Sequence, residues 1–288
     1  MKKLTIALML ASSVTAVQAA DWSDTWVSYK YQNDSREPRN NEDIAKHTVG
    51  FTHTSGYKYG SNFLNVDAIK SDSMDPAGVG TGSGTAGIAE GAQEIYVTYR
   101  TNFEAGKVTG TPMAFGVIKD VALTAGFDIN TKNTSASGNK RMWVLGPTFM
   151  MKMDKGFFNI GTFLSQETNR LAPTAGDYAG KGRDTTFDIA PMLSASWLIP
   201  FQAGLPAKFQ GFFNVIGEKG KGYAGNPDTT TEYFSRSSVM WDVGTSMGLK
   251  NNTVWAGVGY EYWKNKFGNP KGTGTDVRSM MYMAEWHF

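Results

Sequence analysis

The stretch Val254-Trp255-Ala256-Gly257-Val258-Gly259-Tyr260-Glu261-Tyr262-Trp263 decides how the rest of the chain reads. Val254, Ala256, Val258, Tyr260 and Tyr262 share one face, and Trp255, Gly257, Gly259, Glu261 and Trp263 share the other. Strict alternation marks a β-strand with one apolar side. A helix would instead repeat its apolar residues at three and four positions, and few segments do so.

The same alternation recurs along the chain. Ile95, Val97 and Tyr99 oppose Glu94, Tyr96, Thr98 and Arg100. Val121, Leu123, Ala125, Phe127 and Ile129 oppose Ala122, Thr124, Gly126, Asp128 and Asn130. Phe187, Ile189, Pro191, Leu193, Ala195, Trp197 and Ile199 oppose Asp188, Ala190, Met192, Ser194 and Ser196. Val239 to Leu249 alternates with Met240, Asp242, Gly244, Ser246 and Gly248. Twelve strands are expected, at 22–33, 45–55, 60–72, 92–103, 117–130, 141–153, 157–169, 185–199, 207–218, 234–249, 253–264 and 276–288. Soluble strands average about 5–6 residues. Tilted membrane strands need about 9–11 in the hydrocarbon alone, so strand length favours a membrane. Pro147 and Pro191 count against regular pairing at their positions.

The connections alternate in length. Asp154-Lys155-Gly156 and Lys250-Asn251-Asn252 are short; 73–91, 131–139, 170–184, 219–232 and 265–275 are long and polar. Short turns at one end and long loops at the other are the mark of an outer-membrane barrel. The 101–116 connection is long where a short turn is due, which leaves room for a small helix or a continuing strand. Phe288, Tyr282, Trp286 and His287, with Trp197, Phe201, Tyr233, Phe234 and Tyr262, are expected in aromatic girdles at the membrane interfaces.

Lys2 and Lys3, the apolar run Leu4 to Leu10, and Val17-Gln18-Ala19 form a secretory leader, expected over 1–19 with cleavage after Ala19. The barrel is then 20–288. The uncharged stretch 189–207 holds Pro191, Pro200 and Pro206, which would break a spanning helix repeatedly. The 28 basic residues fall to 26 without Lys2 and Lys3, equal to the 26 acidic ones. That neutrality argues against a nucleic-acid partner. The absence of cysteine excludes a disulfide framework and cysteine-ligated metal centres. A mean hydropathy of −0.33 is compatible with a barrel that alternates lipid-facing and lumen-facing residues.

The fold class is therefore all-β: a transmembrane antiparallel up-and-down barrel of about 12 strands. Parity then assigns an inward set, because a charge on the lipid side costs about 2–4 kcal/mol at the midplane. It holds Lys30, Lys46, Asp67, Glu94, Arg100, Asp128, Glu167, Asp188, Lys208, Glu218, Arg236, Asp242, Glu261 and Glu285. It also holds Trp26, Phe63, Tyr96, Phe163, Phe212, Trp255 and Trp263, with glycines leaving space beside them. The pore-lining candidates are Trp26, Asp67, Glu94, Tyr96, Arg100, Asp128, Phe212, Arg236, Asp242, Trp255, Glu261 and Trp263. Acids, bases and aromatic faces together suit a polar ring-shaped solute, since bases and sugars stack and hydrogen-bond on such groups.

The run Gly56-Tyr57-Lys58-Tyr59-Gly60-Ser61-Asn62-Phe63-Leu64-Asn65-Val66-Asp67 resembles the early hairpin of the nucleoside-specific channel-forming (Tsx-like, OmpK-like) outer-membrane family. Ser71-Asp72-Ser73-Met74-Asp75-Pro76, stepping into a long loop, and Gln93-Glu94, opening the next strand, resemble proteins named only as outer envelope proteins. The resemblance implies a leader, twelve strands and a narrow passive channel for small polar, nucleoside-like solutes. The alternative expectation is a closed barrel whose lumen charges pair off and whose long loops serve as an interaction surface, as in phage adsorption.

A lipid-modifying enzyme is disfavoured. The chain has only His47, His53 and His287, with Ser61 or Ser279 as conceivable partners, and no nucleophile-elbow sequence. The histidines are expected as interfacial side chains near strand ends. His47 and His53 stand roughly 20 Å apart on one strand, too far to share a metal. Asp72, Asp75 and the glycine-rich 78–91 lack the spacing of a calcium loop. No cofactor or metal is expected, and lipid is the expected environment.

Overall fold

The computed structural model describes residues 20–38, 40–75, 91–133, 139–171, 183–220 and 228–288. The expected leader, and parts of the loops at 76–90, 134–138, 172–182 and 221–227, lie outside the described residues. The strands are β1 (Trp22–Ser35), β2 (Ile44–Tyr57), β3 (Gly60–Ser71), β4 (Gln93–Glu104), β5 (Ile118–Lys132) and β6 (Arg141–Met151). They continue as β7 (Phe157–Leu171), β8 (Arg183–Thr186), β9 (Ala190–Ala203), β10 (Leu205–Ile216), β11 (Glu232–Asp242), β12 (Val254–Lys264) and β13 (Val277–His287). Two short helices, α1 (Ala105–Thr109) and α2 (Val243–Ser246), sit at the short-turn end.

Each strand pairs antiparallel with its neighbours. β1 pairs with β13, and β6 pairs with β7, so the sheet closes on itself. β8 and β9 run along the same partner, β7, one after the other. They form one interrupted stave, so the ring has the expected twelve. Closure removes every open edge, and antiparallel pairing satisfies the backbone without water. Among the described residues, no helix is long and apolar enough to cross a membrane; this chain crosses with strands.

The distribution of side chains inverts that of a soluble protein. Val49, Leu164 and Tyr282 point outward with 54%, 56% and 61% of their surface exposed. Glu167, Glu261 and Lys219 are among the most deeply buried groups, at 1%, 2% and 2%. Charge buried inside and hydrocarbon bared outside is stable only where the outer solvent is lipid.

Four local readings change. The strand expected over 234–249 stops at Asp242, and Val243–Ser246 turns into α2. The Asp242 carboxylate explains the stop: it accepts from Thr245 N at 3.2 Å and Asn252 N at 2.8 Å, capping the turn. Alternation is also broken near Asp188. Residues 165 and 168 of β7 face Ala190 and Thr186, so the β8–β9 stave carries one extra residue. That bulge turns Phe187 inward to a buried position and leaves Asp188 and Ile189 exposed. Glu218 is likewise exposed beyond the end of β10, and Lys219 takes the buried place. Finally, the inward wall is not uniformly polar: Met142, Val144, Phe163, Ala190, Met192 and Ile216 pack as an apolar cluster on the β6–β10 side.

Pro147 does interrupt its ladder. β6 and β7 pair through Leu145–Leu164 and resume at Thr148–Gly161 with no change of register. The long 101–116 connection contains α1, pinned by the buried Asp120 carboxylate through Gly106 N and Met113 N, each at 2.9 Å.

Candidate functional site

The lumen is organised in three tiers, set by the register of the strands. At mid-barrel, Lys30 of β1 bonds both oxygens of Asp67 on β3 at 2.8 Å. Gly50 of β2 is in register with Asp67 on one side and with Ser28, two residues before Lys30, on the other. A Cβ there would stand 2.4 Å from Ser28 Oγ and 2.9 Å from Asp67 Oδ1, so only glycine lets the pair close over β2. Arg236 of β11 reaches the same carboxylate at 3.5 Å and bonds Glu261 through Nε at 2.5 Å. Four strands separate β3 from β11 in the ring, so Arg236–Asp67 is a chord across the lumen. Arg100 lies against the β4–β5 wall, with Nη1 2.8 Å from Asp128 Oδ1, and Tyr96 OH donates to Asp128 Oδ2 at 3.4 Å. Glu94 accepts from Asn130 Nδ2 at 2.7 Å.

At the long-loop end the charges converge on loop residues. Glu37, in the β1–β2 connection, meets Lys46, Lys132 and Lys266. Burial pushes the Glu37 carboxyl up, but Lys132, Lys266 and Lys46 override it and hold it well below the usual carboxylate range. Burial depresses Lys266 below the usual lysine value; Lys46 and Lys132 add to this, against Glu37 and Glu261. On the opposite wall Lys219 bonds Glu167 at 2.8 Å, with Lys140 at 3.8 Å from the same oxygen. Glu232 lies 3.7 Å from Lys219 and accepts from Trp263 Nε1 at 2.7 Å.

A turn after β12, residues 265–268, folds inward beside this network. Asn265, Phe267 and Gly268 adopt φ of 55°, 62° and 77°, a left-handed conformation that is costly for a phenylalanine. Lys219 Nζ holds the Phe267 carbonyl at 3.1 Å, and Asn265 Nδ2 holds the Thr231 carbonyl at 2.8 Å. Phe234 stacks on Trp263 at 4.1 Å, and Phe267 meets Trp263 edge-on at 5.0 Å. These rings form an aromatic shelf.

A cavity of about 50 Å³ lies between the shelf and the charges. Of the sequence candidates, Asp67, Glu94, Tyr96, Arg236, Glu261 and Trp263 line it. Phe212 stands beside the shelf, edge-on to Phe234 at 5.0 Å. Trp26 and Trp255 are brought together elsewhere, at the short-turn end. There Lys208 Nζ sits 4.5 Å from the Trp255 ring and 2.7 Å from Glu285, while His287 stacks on Trp26 at 5.0 Å. Asp242 is near that end too, with its carboxylate engaged in the α2 cap.

Alternation did not find Glu37, Lys266 or Phe267, since all three lie beyond strand ends. Phe234 was expected in an aromatic girdle and instead turns into the lumen, a placement its parity with Arg236 implies. His287 is likewise buried inside, between Asp24 at 2.9 Å and Glu285 at 3.4 Å, rather than interfacial. His47 bonds Tyr29 OH at 2.6 Å and His53 bonds Thr25 Oγ1 at 2.7 Å. Ser279 contacts Gln32 and Asp34, away from both. Among the described residues, no group of three or more His, Asp or Glu is arranged to hold a metal.

No protein-family model matches the chain, and no curated protein matches it. The family resemblance rests on the early hairpin alone. Among solved structures the chain is similar to the NanC porin, with 8% identity over 91% of this chain and 97% of that one, at a TM-score of 0.45. It is similar to the translocator domain of the autotransporter NalP from Neisseria meningitidis, with 9% identity over 100% and 95%, at 0.44. It is also similar to the KdgM porin, with 6% identity over 91% and 99%, at 0.41. A closed antiparallel barrel with an apolar exterior and a charged interior is built for the Gram-negative outer membrane.

Proposed function

We propose that the protein, after export by the leader at 1–19, is a passive outer-membrane diffusion channel for small polar solutes, nucleosides among them. The observation that carries this reading is Arg236. It is charged, reaches across the lumen to Asp67, and keeps 29% of its side chain open to the cavity beside Glu261 and Trp263. Groups held this way offer a passing solute exchangeable hydrogen bonds next to a stacking surface. Weak, serial contacts allow exit as well as entry. The shelf of Phe234, Trp263 and Phe267 supports the nucleoside reading, because every base has a face that stacks on such rings.

Planar-bilayer recording of the refolded protein tests this. Discrete conductance steps that nucleosides block are expected, and Trp263→Ala weakens that block about tenfold, the loss of one stacked ring. Silence in the bilayer together with no swelling of solute-loaded liposomes would refute the channel. The same chords across the lumen favour a second reading, a closed barrel whose loops serve as an interaction surface; that silence is its expected result.

A further inference from the structure

Three ammonium groups converge on a single oxygen at the long-loop mouth. Lys46 Nζ, Lys266 Nζ and Lys132 Nζ lie 2.6, 3.1 and 3.6 Å from Glu37 Oε1. Lys132 is matched independently by Asp75 at 2.8 Å. Lys46 comes from the barrel wall, and Lys266 from the inward turn, where it also donates to the Arg36 carbonyl at 2.8 Å. The remaining charges on this cavity are Glu94 of β4, turned to Asn130, Asp67 of β3, held by Lys30 and Arg236, and Glu261, bonded to Arg236. The acid serving Lys46 and Lys266 therefore belongs to a connection between strands, not to the wall. A carboxylate on a connecting segment can withdraw while strand residues stay fixed.

We infer that Lys46, Lys266 and Lys132 form an oxyanion-binding site, that Glu37 fills it as an internal carboxylate, and that the carboxylate or phosphate of an entering solute takes its place. Lys266 Nζ also lies 4.6 Å from the Trp263 ring centre, so a solute anchored here would rest its body on the aromatic shelf. Exchange of one carboxylate for another keeps the buried ammonium groups neutralised throughout, which avoids stranding a charge. The inference rests on the channel reading and adds to its small polar solutes those that carry a carboxylate or phosphate; the binding step itself does not require conduction.

Calorimetric titration of the refolded, detergent-solubilised barrel with benzoate and with inorganic phosphate tests it. Glu37→Gln removes the internal competitor, and at least about tenfold tighter binding of one of the two anions is expected. Lys46→Gln added to that variant should abolish the gain. A folded Glu37→Gln barrel that binds neither anion more tightly than the unaltered protein overturns the inference. If Glu37→Gln does not fold, Glu37→Asp keeps the charge on a shorter arm. Tighter binding then supports the site, and unchanged binding overturns it. Benzoate against phosphate separates a carboxylate site from a phosphate site. Tight binding without bilayer conductance would keep this site and sink the channel; conductance without binding would do the reverse.

Discussion

The two ends of the lumen solve the same problem differently. At the short-turn end, buried charge is neutralised by strand residues in fixed register. Lys208 of β10 bonds Glu285 of β13, Gln210 holds the other oxygen at 2.6 Å, and His287 adds a third contact. Trp26 and Trp255 cover the cluster. At the long-loop end, the hubs depend on residues outside the strands: Glu37, Asp75, Lys140, Lys219 and Lys266. One end is a property of the barrel wall. The other is assembled by its connections, and a cavity lies beside its charges. Adjustable chemistry therefore belongs to the long-loop mouth.

The largest expected break in this contrast is at Lys219. Its loss takes the nearest cation from two carboxylates at once, Glu167 and Glu232, both nearly fully buried; Glu167 then keeps Asn169 and Lys140 at 3.8 Å, and Glu232 keeps Trp263. Lys219→Met should cost about 3–5 kcal/mol, the range for removing one partner of a buried pair. Lys208→Met should cost about 2 kcal/mol, because Glu285 keeps Gln210 and His287. Denaturant unfolding of both variants in phospholipid vesicles checks the order. Equal losses would mean that the two ends are buttressed alike.

Acidification should act through Glu37. Glu37 has a folded-state pKa well below its ordinary value of 4.5. A depressed carboxyl contributes stability that is fully present above its unfolded value and is lost as pH falls toward the folded one. Unfolding free energy should therefore fall as pH drops below 4.5 toward the folded value, and Glu37→Gln should flatten that limb. An unaltered acid limb in the variant would remove Glu37 from its role as hub.

The same contrast marks what could be read from residues alone. Alternation along Val254 to Trp263, repeated twelve times, specifies strand, barrel and inward face, because each face meets a different solvent. It fails where the two-residue period fails. One extra residue before Ala190 reverses the faces around Asp188. The Asp242 cap turns the chain at Val243, where alternation alone continued the strand. Glu37 and Lys266 lie 229 positions apart in the chain. Their meeting follows from β1–β13 and β12–β13 pairing and from the inward turn at 265–268. No local signal carries that. The twelve candidate residues were chosen by face, and face does not say which of them share a tier.

The smallest expected effect sharpens the separation of the ends. Trp255 Nε1 donates to Asn252 Oδ1 at 2.9 Å, and the Trp255 ring lies under Lys208. Trp255→Phe keeps a ring for the ammonium and loses only the donor, so it should cost about 0.5–1.5 kcal/mol. Trp255 belongs to the short-turn cluster and Glu37 to the long-loop one. The Trp255→Phe/Glu37→Gln double variant should therefore lose the sum of the single losses to within about 0.5 kcal/mol. Denaturant unfolding of the four proteins of that cycle measures the coupling. A coupling well above this would show the chords through Asp67 and Arg236 transmitting strain from one tier to the next, and the lumen would then respond as one unit to whatever enters its mouth.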